Sequence, residues 1–148
     1  MTEEQVTRAI ISELAKHGWA IISYDFPQSG SGKMLHPDWG TSEKNKGGII
    51  PDIITIKGTI CLFFENKDRV VIEDFQKVSS LIKDNRYTSA IADILDGKNV
   101  QQIYYGVGFP SAKWNNQAVS YSWLVNFIVG VTEDYAVEFL HNPHGLMI

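Results

Sequence analysis

The sequence is poor in the features that mark exported and membrane proteins. It has a single cysteine, Cys61, so no disulfide can form within the chain, and this predicts a reducing compartment. No apolar run approaches the length needed to span a bilayer, and the first residues lack the basic segment and apolar core of an export signal. We therefore expect a cytoplasmic protein with no membrane partner.

Positive charge is also scarce. The 148 residues contain 13 Lys and Arg against 17 Asp and Glu, a formal net charge of -4. A protein that binds nucleic acid by neutralising phosphates usually has a basic surface, so the bulk charge does not favour that partner. A local basic loop, or an acidic site that recruits metal ions, can still supply the attraction. Whether nucleic acid is a partner therefore depends on how the charges are distributed along the chain.

Apolar and aromatic residues are plentiful. Hydrophobic residues make up 44% of the chain and include 4 Trp, 6 Tyr and 7 Phe, which supply the area that a core needs to offset chain entropy. This length suits one core and is short for two. We expect a single domain over residues 1–148.

The hydrophobic pattern predicts a mixture of helices and strands. Helical periodicity falls on three ranges: 2–17, 71–83 and 88–95. Strand patterns fall on four others: 19–26, 49–56, 59–64 and 100–107. Residues 111–122 are ambiguous and slightly favour a helix, and 125–140 favour a second hairpin. Because the fourth strand follows a helical crossover, the fold class expected is α/β with a mixed sheet.

Residues 27–48 separate the first two strands and are rich in Gly, Ser and Lys. So long a connection is usually functional or mobile, and we predict a flexible loop. Its basic side chains are candidate DNA contacts: Lys33, His36, Lys44 and Lys46. A solvated surface loop is the alternative.

The predicted hairpin of residues 49–67 carries charge on apolar strands. Asp52 lies near the start of its first strand, and Glu65 and Lys67 lie at the end of its second. Ionised groups in such places cost several kcal/mol unless they are paired or bind a metal. Two carboxylates suit Mg²⁺, and a nearby lysine can orient or deprotonate an attacking water. The alternative is a salt-bridged surface turn continued by Asp68 and Arg69.

A further acid lies on the predicted first helix. Helical spacing places Glu13 on or beside the apolar stripe, so its carboxylate points inward or sits at the edge of the stripe in water.

These residues, in this order of elements, resemble the PD-(D/E)xK nuclease superfamily through Pro51-Asp52 and Glu65-Asn66-Lys67. The resemblance implies a restriction-endonuclease-like fold with an αβββαβ core, here with an added C-terminal hairpin. It implies that Asp52, Glu65 and the backbone carbonyl of Asn66 are metal ligands and that Lys67 activates water. Members often add an acid from the first helix, and Glu13 is the matching candidate.

The function implied is Mg²⁺-dependent hydrolysis of DNA phosphodiester bonds, with Mn²⁺ as a substitute metal. The basic Gly-rich loop is most similar to type II restriction endonucleases, which implies double-stranded DNA and a homodimer. The RecB-like pattern of Gln followed by Tyr four residues later is not met, because Ser80 follows Gln76, and Gln76 stays a candidate phosphate contact. The alternatives are a structure-specific or toxin-type nuclease of the same fold, and a non-catalytic member that binds nucleic acid or protein.

Overall fold

A mixed β-sheet forms the centre of the protein. The structure is a computed structural model that describes residues 1–26, 35, 48–84 and 87–148. The sheet has six strands: β1 Ala20–Tyr24, β2 Ile53–Lys57, β3 Ile60–Asn66, β4 Gln102–Pro110, β5 Phe127–Val131 and β6 Val137–His141. The described residues also form four α-helices and a short 3₁₀ helix: α1 Glu3–Lys16, α2 Ile72–Lys83, α3 Thr88–Ile94, α4 Asn115–Ser120 and the 3₁₀ turn Ser122–Leu124. None of these helices is both long and apolar enough to cross a membrane.

The strands lie in the sheet in chain order, from β1 at one edge to β6 at the other. β2 is antiparallel to β1 and β3, β4 is parallel to both β3 and β5, and β5 is antiparallel to β6. The helices α2, α3 and α4 lie in the crossovers that the parallel pairs require. The predicted mixed sheet and second hairpin are confirmed, and the ambiguous segment 111–122 contains α4 and the first residue of the 3₁₀ turn.

Helix α1 covers one face of the sheet. Thr2 and Gln5 form a reciprocal capping box at its start, which satisfies backbone N–H groups that a helix leaves unpaired. The stripe Val6, Ile10 and Leu14 is fully buried. It packs with residues of the central strands that include Ile53, Leu62, Phe64, Phe127 and Val129.

Helix α2 covers the opposite face. Phe75 and Val78 on α2 pack with Cys61 and Phe63 of β3 and with Tyr105 of β4. Side chains of a strand alternate between faces, so β3 directs its odd-numbered residues toward α2 and its even-numbered residues toward α1.

The β2–β3 turn lies one residue later than predicted. Lys57 pairs with Ile60, so Gly58 and Thr59 form the turn in place of Lys57 and Gly58. Gly58 has φ +60°, a left-handed conformation that favours glycine. The predicted hairpin is present, but its first strand begins at Ile53 rather than at residue 49, so Asp52 directly precedes β2. The hairpin brings Asp52 and Glu65 to the same end of the strands.

Candidate functional site

A polar cleft of about 270 Å³ lies at this end of the strands, where the ends of β1 and β3 and the start of β2 meet the first turn of α1. It is lined by acidic, basic and a few other residues: Glu3, Glu4, Thr7, Asp25, Phe26, Ile50, Asp52, Glu65, Lys67 and Lys77. Five of these residues carry carboxylates and two carry ammonium groups, so negative charge is in excess.

Asp52 is held in the cleft by its backbone and its side chain. Its N–H donates to the carbonyl of Phe64 and its carbonyl accepts from the N–H of Asp25, both at 2.9 Å. Its Oδ2 accepts from the backbone N–H of Asn66 at 2.6 Å. Burial and the charge of Glu65 raise the pKa of Asp52 to about 7, although the Asn66 N–H and two lysines oppose this rise. The carboxyl therefore lies where an added cation would stabilise its ionised form.

Glu65 is the most buried acid of the cleft, with 6% of its surface exposed. Its Oε1 lies 3.0 Å from Nζ of Lys77 and 3.5 Å from Nζ of Lys67. Two ammonium groups thus contact a single oxygen, which is the pairing that a buried carboxylate needs. Helical periodicity alone puts Lys77 on the polar side of α2, away from Phe75 and Val78, so the sequence gives no sign of this contact.

Lys67 links the end of β3 to α1. Its Nζ lies 3.5 Å from Glu65 Oε1 and 3.3 Å from Glu3 Oε1. Burial lowers the pKa of Lys67, but Glu65, Glu3 and Asp74 outweigh that effect and the pKa is raised overall. Lys67 is therefore an ammonium at neutral pH, suited to orienting a water or neutralising a phosphate rather than to accepting a proton.

Asn66 fixes the geometry between these groups. Its backbone N–H holds Asp52, and its buried Nδ2 donates to Thr7 Oγ1 at 3.1 Å, which ties β3 to α1. Its Oδ1 is buried and accepts no hydrogen bond within the described part of the chain. Its backbone carbonyl, the predicted metal ligand, is the last of β3.

Glu13 does not reach the cleft. It pairs with Lys16 at 3.6 Å and His17 at 3.4 Å in the last turn of α1, about ten residues or roughly 15 Å along the helix from Glu3. The reason lies in the connection to β1: the end of α1 leads directly into the start of that strand, whereas the cleft lies at its other end. The acids that α1 contributes to the cleft are therefore Glu3 and Glu4, and Glu3 is the one that pairs with Lys67. The short connection from helix to strand was a signal that sequence reasoning could have used.

The predicted DNA contacts are placed only in part. Lys33, His36, Lys44 and Lys46 lie outside the described residues. Phe26 and Ile50, near the two ends of the 27–48 segment, both line the cleft. Gln76 is exposed on α2 and is not among the lining residues, whereas the next residue, Lys77, is.

The donor set suits a hard cation. Among residues 1–26, 35, 48–84 and 87–148, no group of three or more His, Cys, Asp or Glu side chains is arranged to hold a metal. Mg²⁺ needs less, because it is commonly held by one or two carboxylates and completes its shell with water and phosphate oxygens. Asp52 and Glu65 supply that number, and the excess of carboxylates leaves negative charge for a cation to neutralise.

Comparisons with known proteins were made at the level of family, sequence and structure. No protein-family model, no curated protein and no solved structure matches this chain.

Proposed function

We propose that this protein is a metal-dependent endonuclease that hydrolyses phosphodiester bonds in DNA. The observation that carries the proposal is the convergence of Asp52, Glu65 and Lys67 in one cleft. These are the three side chains of the Pro51-Asp52 and Glu65-Asn66-Lys67 motifs. Their conjunction with an apolar hairpin makes a metal-assisted hydrolysis the best-supported chemistry.

The arrangement of the elements supports the same proposal. The helix α1, the antiparallel strands β1, β2 and β3, the helix α2 and the parallel strand β4 follow the αβββαβ order of the restriction-endonuclease-like fold, with α3 as an additional helix between α2 and β4. Strands β5 and β6 extend the sheet beyond that core. We propose that the chain has this fold.

In the proposed site, Asp52, Glu65 and the carbonyl of Asn66 hold Mg²⁺, with Mn²⁺ as a substitute. When bound, such an ion polarises the phosphate and lowers the pKa of water. Lys67, as an ammonium, orients the attacking water and neutralises charge on the phosphate. The water oxygen bonds to phosphorus and releases a proton to solvent, the bond between phosphorus and the leaving sugar oxygen breaks, and that oxygen takes a proton from solvent water, so the products are a phosphate monoester and a free hydroxyl.

We propose double-stranded DNA as the substrate and a type II restriction enzyme as the class. The support is the basic segment 27–48, whose flanking residues Phe26 and Ile50 line the cleft. One cleft cuts one strand, so cutting both strands requires two copies of the chain, and a symmetric homodimer suits a palindromic site.

The test is incubation of the protein with supercoiled plasmid and with phage DNA, in Mg²⁺ and in EDTA. We expect discrete fragments in Mg²⁺ alone, with nicked circles preceding linear plasmid at low protein concentration. A smear would replace the restriction class by a nonspecific, toxin-type nuclease, and cleavage confined to added branched DNA would indicate a structure-specific one. If no substrate is cleaved in a metal-dependent way, the proposal of an enzyme is contradicted and a binding protein is favoured.

A further inference from the structure

Lys77 lies in the cleft although it belongs to neither motif. It is on the second turn of α2, a helix that follows the hairpin, and its side chain is 39% exposed. Its Nζ makes the shortest ion pair of Glu65 within the described residues, at 3.0 Å against 3.5 Å for Lys67. This ammonium has no role in the proposed hydrolysis.

The two ammonium groups differ in what they keep if Glu65 binds a cation. Lys67 has a second carboxylate partner, Glu3 at 3.3 Å, whereas the pair with Glu65 is the sole ion pair of Lys77 in the described part of the chain. A divalent cation on Glu65 would repel an ammonium on the same oxygen. Lys77 would then lose its close ion-pair partner and keep the more distant attraction of Asp74, whereas Lys67 would keep Glu3 as a close partner.

The side chain of Lys77 has somewhere to go. It borders the open cleft, and a flexible four-carbon stem lets its head group turn away from Glu65 while α2 stays packed. A phosphate oxygen in the cleft is the anion that would replace the carboxylate.

We propose that Lys77 exchanges between two anions: it occupies Glu65 when no divalent cation is bound, and it binds a phosphate oxygen of the nucleic acid once a cation displaces it. The proposal rests on the proposed function for the identity of the substrate. The competition at Glu65 does not depend on whether a bond is cleaved.

The first test measures cation binding without nucleic acid. Mn²⁺ is titrated by calorimetry into the wild type, Lys77→Gln and Lys83→Gln, which removes the same charge from an exposed position at the end of α2. Removal of the competing ammonium should tighten Mn²⁺ binding by about tenfold in Lys77→Gln, the factor that corresponds to about 1.4 kcal/mol. The Lys83→Gln protein should match the wild type. If Lys77→Gln binds Mn²⁺ no more tightly than the wild type does, the proposal is overturned.

The second test measures binding of a short DNA duplex at a saturating concentration of Ca²⁺, by fluorescence anisotropy. We expect Lys77→Gln to weaken duplex binding by about tenfold, as the loss of one charge-assisted contact predicts, and Lys77→Arg to restore it. Equal duplex affinity in Lys77→Gln and the wild type overturns the exchange. If both tests succeed and the wild type cleaves no DNA, the exchange stands and the proposed hydrolysis fails.

Discussion

Asp52 carries a carboxyl that its surroundings disfavour in the ionised form. Its carboxyl is close to the charge of Glu65 and partly removed from solvent, so its ionised form is disfavoured and its pKa rises from 3.8 to about 7. A group with a higher pKa in the folded than in the unfolded protein stabilises the fold at low pH. That contribution is complete below about pH 4 and is lost as the pH rises through about 7.

We therefore expect Asp52→Asn to be more stable than the wild type in EDTA, with an advantage that grows from pH 5 to pH 8. The asparagine removes the buried charge and retains an oxygen that accepts from the Asn66 N–H. At pH 8 the gain should be roughly 1 to 4 kcal/mol, because one pKa unit corresponds to about 1.4 kcal/mol. Urea unfolding at the two pH values measures it.

The matched control is Asp96→Asn, which makes the same change at an exposed position after α3. It should leave the unfolding free energy within about 0.5 kcal/mol of the wild type at both pH values. An Asp52→Asn protein that is less stable than the wild type at pH 8, or whose advantage does not change with pH, would show that the carboxylate is not penalised in the fold.

The motif residues could be predicted from sequence, whereas two of their partners could not. Asp52, Glu65 and Lys67 stand out because charge on an apolar hairpin requires an explanation. By helical periodicity Glu3 and Lys77 look like ordinary solvent-exposed residues. The packing of α1 and α2 against the end of β3 brings Glu3 to Lys67 and Lys77 to Glu65.

At the scale of elements, the contact between β3, β4 and α1 positions the cleft. Gly108 of β4 pairs with Asn66 of β3, and its carbonyl accepts from the Lys67 N–H at 2.9 Å. A Cβ at position 108 would lie 2.5 Å from Asn66 Oδ1 and 2.6 Å from Ile10 Cδ1. Both atoms belong to buried side chains, so neither has free space to move into.

We predict that Gly108→Ala destabilises the protein by about 1 to 3 kcal/mol, the usual cost of overpacking a core. The shift of Asn66 should also loosen its hold on Asp52. Adding Ile10→Val, which removes the Cδ1 atom, should recover part of the loss and leave the clash with Asn66. The free energy of unfolding of the two single variants and the double variant, measured in urea, checks this. Wild-type stability in Gly108→Ala would contradict the close packing.

The elements themselves were largely readable in the sequence. Periodicity predicted α1, α2 and α3 and the strands β1 to β4. Glu13, the candidate for the acid that the first helix adds to the site, does not reach the cleft, because periodicity says which side of a helix is buried and nothing about which end lies at the site. The connection to β1 carries that information.

At the scale of the whole molecule, the sheet with helices on both faces brings distant parts of the chain together at one end of its strands. Residues of α1, β1, the β2–β3 hairpin and α2 all line the cleft. The mixed sheet followed from one helical crossover in the sequence. The pairing of β5 with β4 did not, because nothing in a hairpin pattern specifies which strand it adds to.

Part of the negative charge of the chain is concentrated at the cleft. The formal net charge of -4 argued against a nucleic-acid partner, yet negative charge is concentrated where a bound cation would reduce it. We therefore predict that the affinity of the protein for DNA depends on a divalent cation rather than on a basic surface.

The most direct test is the single-turnover rate of cleavage of a labelled DNA duplex in Mg²⁺ by the wild type, Lys67→Ala and the exposed control Lys83→Ala. Lys67→Ala should be at least about a hundredfold slower, the lower range for loss of one group that assists proton transfer or stabilises charge. Its thermal transition should be close to that of the wild type, because Glu65 keeps Lys77. The control should cleave at the wild-type rate. Cleavage by folded Lys67→Ala at the wild-type rate would contradict the account.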